Sequence, residues 1–250
     1  MSDGVVNGAA SAAAAAVSTP PAVWLAPRLR LLVFDLDGTL IDSKQDLAES
    51  VNAALRRLGR PQLPNAHIAE FVGRGAPVLM ERALRATGNG AAIEPNELAA
   101  GLQELLDYYD AHKLDHTRLY AGVAELLPHL AERFILAVLT NKPVRPARAI
   151  LEGLGVAAHF AAIYGGNSFA TKKPDPTGFN AILAERSLPA DRALMVGDSA
   201  VDVQTGRNAG AWTCGVDYGF SPESLEQEPP DWRVGAFADF AALLAAGAAS

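Results

Sequence analysis

Residues 29–34 form a short, largely apolar run that passes directly into Asp35-Leu36-Asp37-Gly38-Thr39. Such a run is too brief for a helix and stops abruptly at polar and turn-forming residues. That is how a strand buried on both faces ends in a functional loop. Comparable runs recur at 134–139, 162–164, 193–196 and 212–216, with helical segments predicted at 146–154, 177–186 and 201–209. The last helix stops at Asn208-Ala209-Gly210, in the manner of a glycine C-cap. Strands alternating with helices predict an α/β fold around a central parallel sheet.

Between Asp46 and Arg118 the alternation breaks. Leu47, Val51, Ala54, Leu55 and Leu58 fall at helical spacing, and further helical stretches cover 66–71, 77–86 and 95–109 without an intervening strand. A four-helix or similar bundle inserted after the first strand accounts for this segment. At the other extreme, residues 1–27 are rich in alanine and small polar residues, carry Pro20 and Pro21, and offer little large apolar surface to bury. A disordered N-terminal tail is expected there. No Lys or Arg precedes Arg28, so the alanine run lacks the charged lead of a secretion signal.

The 250 residues carry a formal net charge of −7 and no basic cluster, which leaves no general positive field for nucleic acid. No stretch approaches the ~20 apolar residues of a membrane span. The single cysteine, Cys214, cannot form an internal disulfide and fits a small apolar position in its strand. A cytoplasmic protein is expected.

In an open parallel sheet, ligands bind beyond the carboxyl ends of the strands. Asp35 and Asp37 follow the first strand, Thr140 and Asn141 the second, Lys172 and Lys173 lie near the following crossover before Pro174, and Asp198, Ser199 and Asp202 follow the fourth. Carboxylates, hydroxyls and a lysine converging on one edge suit phosphoryl transfer, where catalysis is mostly positioning and charge neutralisation. Asp35 is the candidate nucleophile, and repulsion between it and a phosphate dianion calls for a divalent cation, with Asp35 and Asp198 as natural oxygen ligands. Lys173 is suited to hold the nucleophile and phosphate oxygens, and Thr140, with Asn141 and nearby backbone amides, to bind the remaining oxygens. Asp37 is placed to protonate the leaving group and then activate water.

The ordered set Asp35-Leu36-Asp37-Gly38-Thr39-Leu40, Thr140-Asn141-Lys142, Lys173-Pro174 and Gly197-Asp198-Ser199 with Asp202 resembles the haloacid dehalogenase superfamily, over residues 29–244. The resemblance implies a Rossmann-like catalytic core of 28–45 and 119–250, with an α-helical cap domain over 46–118. It also implies Mg²⁺ bound by Asp35, the backbone carbonyl of Asp37 and Asp198, with Asp202 supporting the metal site from one layer further out. Asp42-Ser43, the cap segment Phe71-Val72-Gly73-Arg74-Gly75-Ala76, and Gly165-Gly166-Asn167 leading to Lys173-Pro174-Asp175-Pro176 look like the phosphoglycolate phosphatases within it. Asn167 is a departure, since many members have Asp there.

The expected activity is hydrolysis of a small phosphorylated metabolite through an aspartyl-phosphate, with 2-phosphoglycolate ahead of other sugar or organic acid phosphates. A phosphomutase needs the same two aspartates and stays open. A silent binding protein would have lost a motif residue, and none is lost. Dehalogenation requires no acid at the position of Asp37, and phosphonate cleavage relies on a cap amine where this chain has only Lys113, near the far end. Arg74, between two glycines, is either a contact for a substrate carboxylate or an ordinary exposed arginine. His112 and His116, four apart, are read as a solvated helix end rather than metal ligands. Monomer and homodimer are both compatible with the sequence.

Overall fold

The computed structural model describes residues 28–88 and 90–245; the tail expected over 1–27 lies outside them. In chain order the first half holds β1 (Leu31–Phe34), β2 (Ile41–Asp42), α1 (Lys44–Arg57), α2 (Asn65–Ala69), α3 (Ala76–Thr87), α4 (Pro95–His112), β3 (Arg118–Leu119) and α5 (Val123–Ala131). The second half holds β4 (Ile135–Leu139), α6 (Val144–Gly153), β5 (Ala162–Tyr164), α7 (Thr177–Arg186), β6 (Ala193–Gly197), α8 (Ala200–Asn208), β7 (Trp212–Val216), β8 (Trp232–Val234) and α9 (Asp239–Ala245).

Six strands form one parallel sheet in the order β5-β4-β1-β6-β7-β8. All four residues of β1 are fully buried, because the strand is central and covered on both faces. Leu32 and Phe34 point into a cluster with residues of α5, α6 and α9, where Phe34 meets Phe160 edge-on at 6.5 Å and lies 6.0 Å from Phe237. Leu31 and Val33 point the other way, against Phe179 and Ile182 of α7. Each such side chain withdrawn from water contributes ~1.5–3 kcal/mol, so the strand that ends at Asp35 is among the most firmly seated parts of the molecule.

Four helices, α1 to α4, lie between β2 and β3 and form the inserted cap. Leu47, Val51, Ala54 and Leu55 of α1 are buried as their spacing requires, with Leu79 and Met80 of α3 and Leu105 of α4. The chain enters and leaves the cap through β2 and β3, which pair antiparallel as Ile41 with Leu119 and Asp42 with Arg118. Just inside this pair, the buried Asp46 carboxylate accepts hydrogen bonds from His116 N (2.9 Å), Thr117 N (2.8 Å) and Thr117 Oγ1 (2.7 Å). The first turn of α1 is thereby tied to the returning segment.

The sheet has one strand more than the five expected, since β8 pairs beyond β7. Helices α5 and α9 and the short β2 and β3 also go beyond the sequence reading. Among the described residues, no helix is long and apolar enough to cross a membrane.

Candidate active site

β1 lies where strand order reverses, with β4 and β5 added on one side and β6, β7 and β8 on the other. A crevice opens at the carboxyl ends of such strands. Loops after β1, β4, β5 and β6 converge there, and the cap closes over them. The cavity between them is lined from the core by Asp35, Asp37, Thr140, Asn141 and Lys142, and from the cap by Gly73, Gly75, Leu79, Leu105 and Tyr109.

Lys173 is the pivot of the charged cluster. Its buried Nζ lies 2.8 Å from Asp35 Oδ1 and 2.6 Å from Asp202 Oδ1. Burial works against the Lys173 charge, but Asp202 and Asp35 outweigh it and hold its pKa above the ordinary value. Asp202 Oδ2 accepts from the Ser199 hydroxyl (2.7 Å) and backbone N–H (3.2 Å), completing a capping box at the start of α8. Both oxygens of Asp202 are therefore committed. So is the Ser199 hydroxyl, which has no role open to it as a nucleophile.

Asp198 is buried, and its Oδ2 accepts from Phe220 N (2.6 Å) and Ser221 N (3.2 Å). Its Oδ1 has only a long contact of 3.5 Å to Thr39 Oγ1. Burial, with Asp202 and Asp35 nearby, pushes the Asp198 carboxyl up to about 8. Burial also raises Asp35, to about 6, against the pull of Lys173. Gly38, with φ of +86°, turns the chain beside them; a Cβ there would stand 2.4 Å from Asp198 Oδ2. Only glycine tolerates both the conformation and the approach.

One oxygen from each of Asp35, Asp198 and Asp202 lies within 4.8 Å of the others. Three carboxylates share the single ammonium of Lys173, an excess of two negative charges. Burial first, and the neighbouring carboxylates after it, raise Asp35 and Asp198. A divalent cation with oxygen ligands fits this donor set in both charge and chemistry.

Asp37 faces the same cavity but belongs to a different network. Lys142 Nζ lies 2.8 Å from its Oδ2 and 3.0 Å from its Oδ1, and the Ser43 hydroxyl donates to Oδ1 at 2.5 Å. The Lys142 ammonium in turn lies 4.6 Å from the centre of the Tyr109 ring, on α4 of the cap. Burial opposes the Lys142 charge, and Asp37 more than restores it, raising the pKa. Lys142 and Ser43 stand in the motifs quoted from the sequence but received no role there, and Tyr109 was not singled out. The available signal was a lysine directly after Thr140-Asn141, at the same strand end.

Thr140 is buried and lines the cavity; its Oγ1 accepts from Lys142 N at 3.2 Å and donates to no described residue. The Asn141 side chain is directed at backbone: Oδ1 accepts from Lys173 N (3.0 Å), and Nδ2 donates to Lys173 O (3.2 Å) and Gly73 O (3.3 Å). Arg74 is exposed and does not line the cavity, although Gly73 and Gly75 on either side do. Lys172 is exposed, as expected of a solvated neighbour. Asn167 Oδ1 accepts from Val144 N at 2.9 Å, so the departure at this position serves the first turn of α6. His112 Nδ1 pairs with Asp115 at 2.8 Å on an exposed helix end, while His116 Nε2 lies 3.6 Å from Glu49.

The family description of the haloacid dehalogenase-like hydrolases matches residues 32–216. The chain belongs to that family. A phosphoglycolate phosphatase of Vibrio cholerae serotype O1 is 40% identical over 212 residues, covering 82% of this chain and 92% of the relative. One of Rhodospirillum rubrum is 40% identical over 217 residues, covering 86% and 89%. Among solved structures, a predicted phosphoglycolate phosphatase from Haemophilus somnus superposes with a TM-score of 0.82 at 34% identity, covering 86% of this chain and 98% of that one. Family and relatives together make the chain a hydrolase of the phosphatase type.

Proposed function

We propose that this chain is a Mg²⁺-dependent phosphatase that hydrolyses a small phosphomonoester, 2-phosphoglycolate foremost, through an aspartyl-phosphate on Asp35. The observation that carries the reading is the Lys173 ammonium between Asp35 and Asp202, with Asp198 alongside and Asp37 across the cavity. The relatives named as phosphoglycolate phosphatases support the substrate.

Asp35 Oδ, the Asp37 carbonyl and Asp198 are the groups assigned to hold Mg²⁺, with Asp202 fixing the site from behind. When bound, the ion supplies positive charge against which a carboxylate and a phosphate dianion can approach. Asp35 attacks phosphorus while Asp37 gives a proton to the departing alcohol oxygen. Asp37 then takes the proton of the water that hydrolyses the acyl-phosphate. Lys173 stabilises charge on the transferred group, and the uncommitted Thr140 proton meets a phosphate oxygen. Asn141 serves the substrate through Lys173, whose backbone it grips. Arg74 is assigned to the substrate's carboxylate end, since its flanking glycines line the cavity. On this reading the cap spans 46–118, the core 28–45 and 119–250, and the protein works in the cytoplasm.

Steady-state phosphate release from a panel of small phosphorylated metabolites, with Mg²⁺ and with chelator, tests the reading. Turnover is expected only with the ion, with 2-phosphoglycolate among the better substrates and its KM raised in Arg74→Ala. Undiminished turnover in Asp35→Asn protein would refute the mechanism.

A further inference from the structure

We infer that Lys142 is the positioning residue for the acid–base step, and that Tyr109 holds it from the cap, so that seating the cap and aligning Asp37 are one event. The inference rests on the proposed role of Asp37.

A buried lysine is retained only when its charge is fully used. The Lys142 side chain is 5% exposed, and both of its short polar contacts go to the two oxygens of one carboxylate, Asp37. Ser43, just before α1, fixes the same carboxylate from a second segment. Asp37 is thereby held against rotation by groups on two separate segments, Lys142 after β4 and Ser43 before α1. The backbone N–H of Lys142 donates to Thr140 Oγ1, so the residue that aims the acid is also coupled to the hydroxyl assigned to phosphate.

The remaining contact comes from the cap. Tyr109 is buried, lines the cavity and places its ring 4.6 Å from the ammonium, within the range in which an aromatic face attracts a cation. Displacing α4 would withdraw this support and free the lysine to follow solvent. Arg74, exposed on the cap, makes no comparable contact with the core among the described residues.

A merely structural Lys142 would affect all substrates alike; a positioning Lys142 would not. In the first step the bond from phosphorus to the leaving oxygen breaks as the Asp35 oxygen bonds to phosphorus, and the Asp37 proton passes to the leaving oxygen. An alkoxide needs that proton, whereas p-nitrophenolate leaves as a stable anion without it. The readout is the ratio of kcat/KM for 2-phosphoglycolate to that for p-nitrophenyl phosphate. We expect it to fall tenfold or more in Lys142→Met, to recover in part in Lys142→Arg, and to fall three- to fivefold in Tyr109→Leu. An unchanged ratio in Lys142→Met overturns the inference, and a fall there without one in Tyr109→Leu overturns the cap's part in it. If Lys142→Met does not fold, Lys142→Arg and Tyr109→Leu decide, both ratios unchanged being the negative result. Wild-type protein that releases phosphate from neither substrate with Mg²⁺ would instead refute the phosphatase reading itself, and this inference with it.

Discussion

Asn141 grips Lys173 at both ends of its backbone, accepting from the N–H at 3.0 Å and donating to the carbonyl at 3.2 Å. The loop after β4 thus sets the height of the loop after β5, and the ammonium that touches Asp35 inherits its position from an amide that touches no ion.

Asn141→Leu keeps the branched shape in a somewhat bulkier side chain and removes all three of its hydrogen bonds, to Lys173 N, Lys173 O and Gly73 O. It leaves a buried N–H without a partner, at about 1–3 kcal/mol, which a shift in the urea midpoint will report. Because a displacement of about 1 Å at a reacting centre costs on the order of 100-fold in rate, kcat should drop by 10- to 100-fold while the fold persists. An unchanged kcat would separate the Asn141 clamp from catalysis.

Metal and pH are linked through Asp35 and Asp198, raised to about 6 and about 8 from an ordinary 3.8. Both groups hold protons in the folded chain that the unfolded chain releases. Their contribution to stability is full below about pH 4 and is lost as pH rises through 6 and then 8. Mg²⁺ held at the proposed site would compete with those protons, so its stabilisation should be larger at pH 8 than at pH 5.5. At 100 times the Kd, binding adds ~2.7 kcal/mol. At roughly 2–4 °C per kcal/mol for a chain of this size, that raises Tm by roughly 5–10 °C. Thermal unfolding with chelator and with Mg²⁺ at the two pH values is the measurement, and equal shifts at both would contradict the linkage.

Gly38→Ala places a methyl group 2.4 Å from Asp198 Oδ2 at a φ of +86°. Strain at such a backbone costs on the order of 1–3 kcal/mol. Here it falls on a proposed metal ligand, so the Mg²⁺-induced rise in Tm should shrink together with activity. A variant that loses stability but keeps the full Mg²⁺ response would show that Asp198 moves without consequence.

Much of this arrangement was legible from sequence, for identifiable reasons. β1, β4, β6 and β7 are covered on both faces, and such strands leave continuous apolar runs. The helical spacing of Leu47, Val51 and Leu55 follows from burial of one face of α1. β8 escaped notice because an edge strand of three residues, with Arg233 exposed between Trp232 and Val234, has no such run. Asp35 and Asp198 could be singled out because each directly follows a strand, and Lys173 because it precedes a proline on the loop beyond β5, all beside residues of matching chemistry. Lys142 stands beside them too, but its meaning depends on Asp37, 105 positions away, and on Tyr109 in a helix whose aromatic residues look like ordinary packing.

β2 and β3 are only two residues each, yet their pairing sets how the cap is hung. Two strands bonded to each other act as one tether, so the body they carry has its sideways register set at its root. Tyr109, carried on that body, is thereby held in register with Lys142. That register is set close to the chemistry, since Ile41 of β2 bridges Asp37 and its carbonyl accepts from Gly38 N at 2.9 Å.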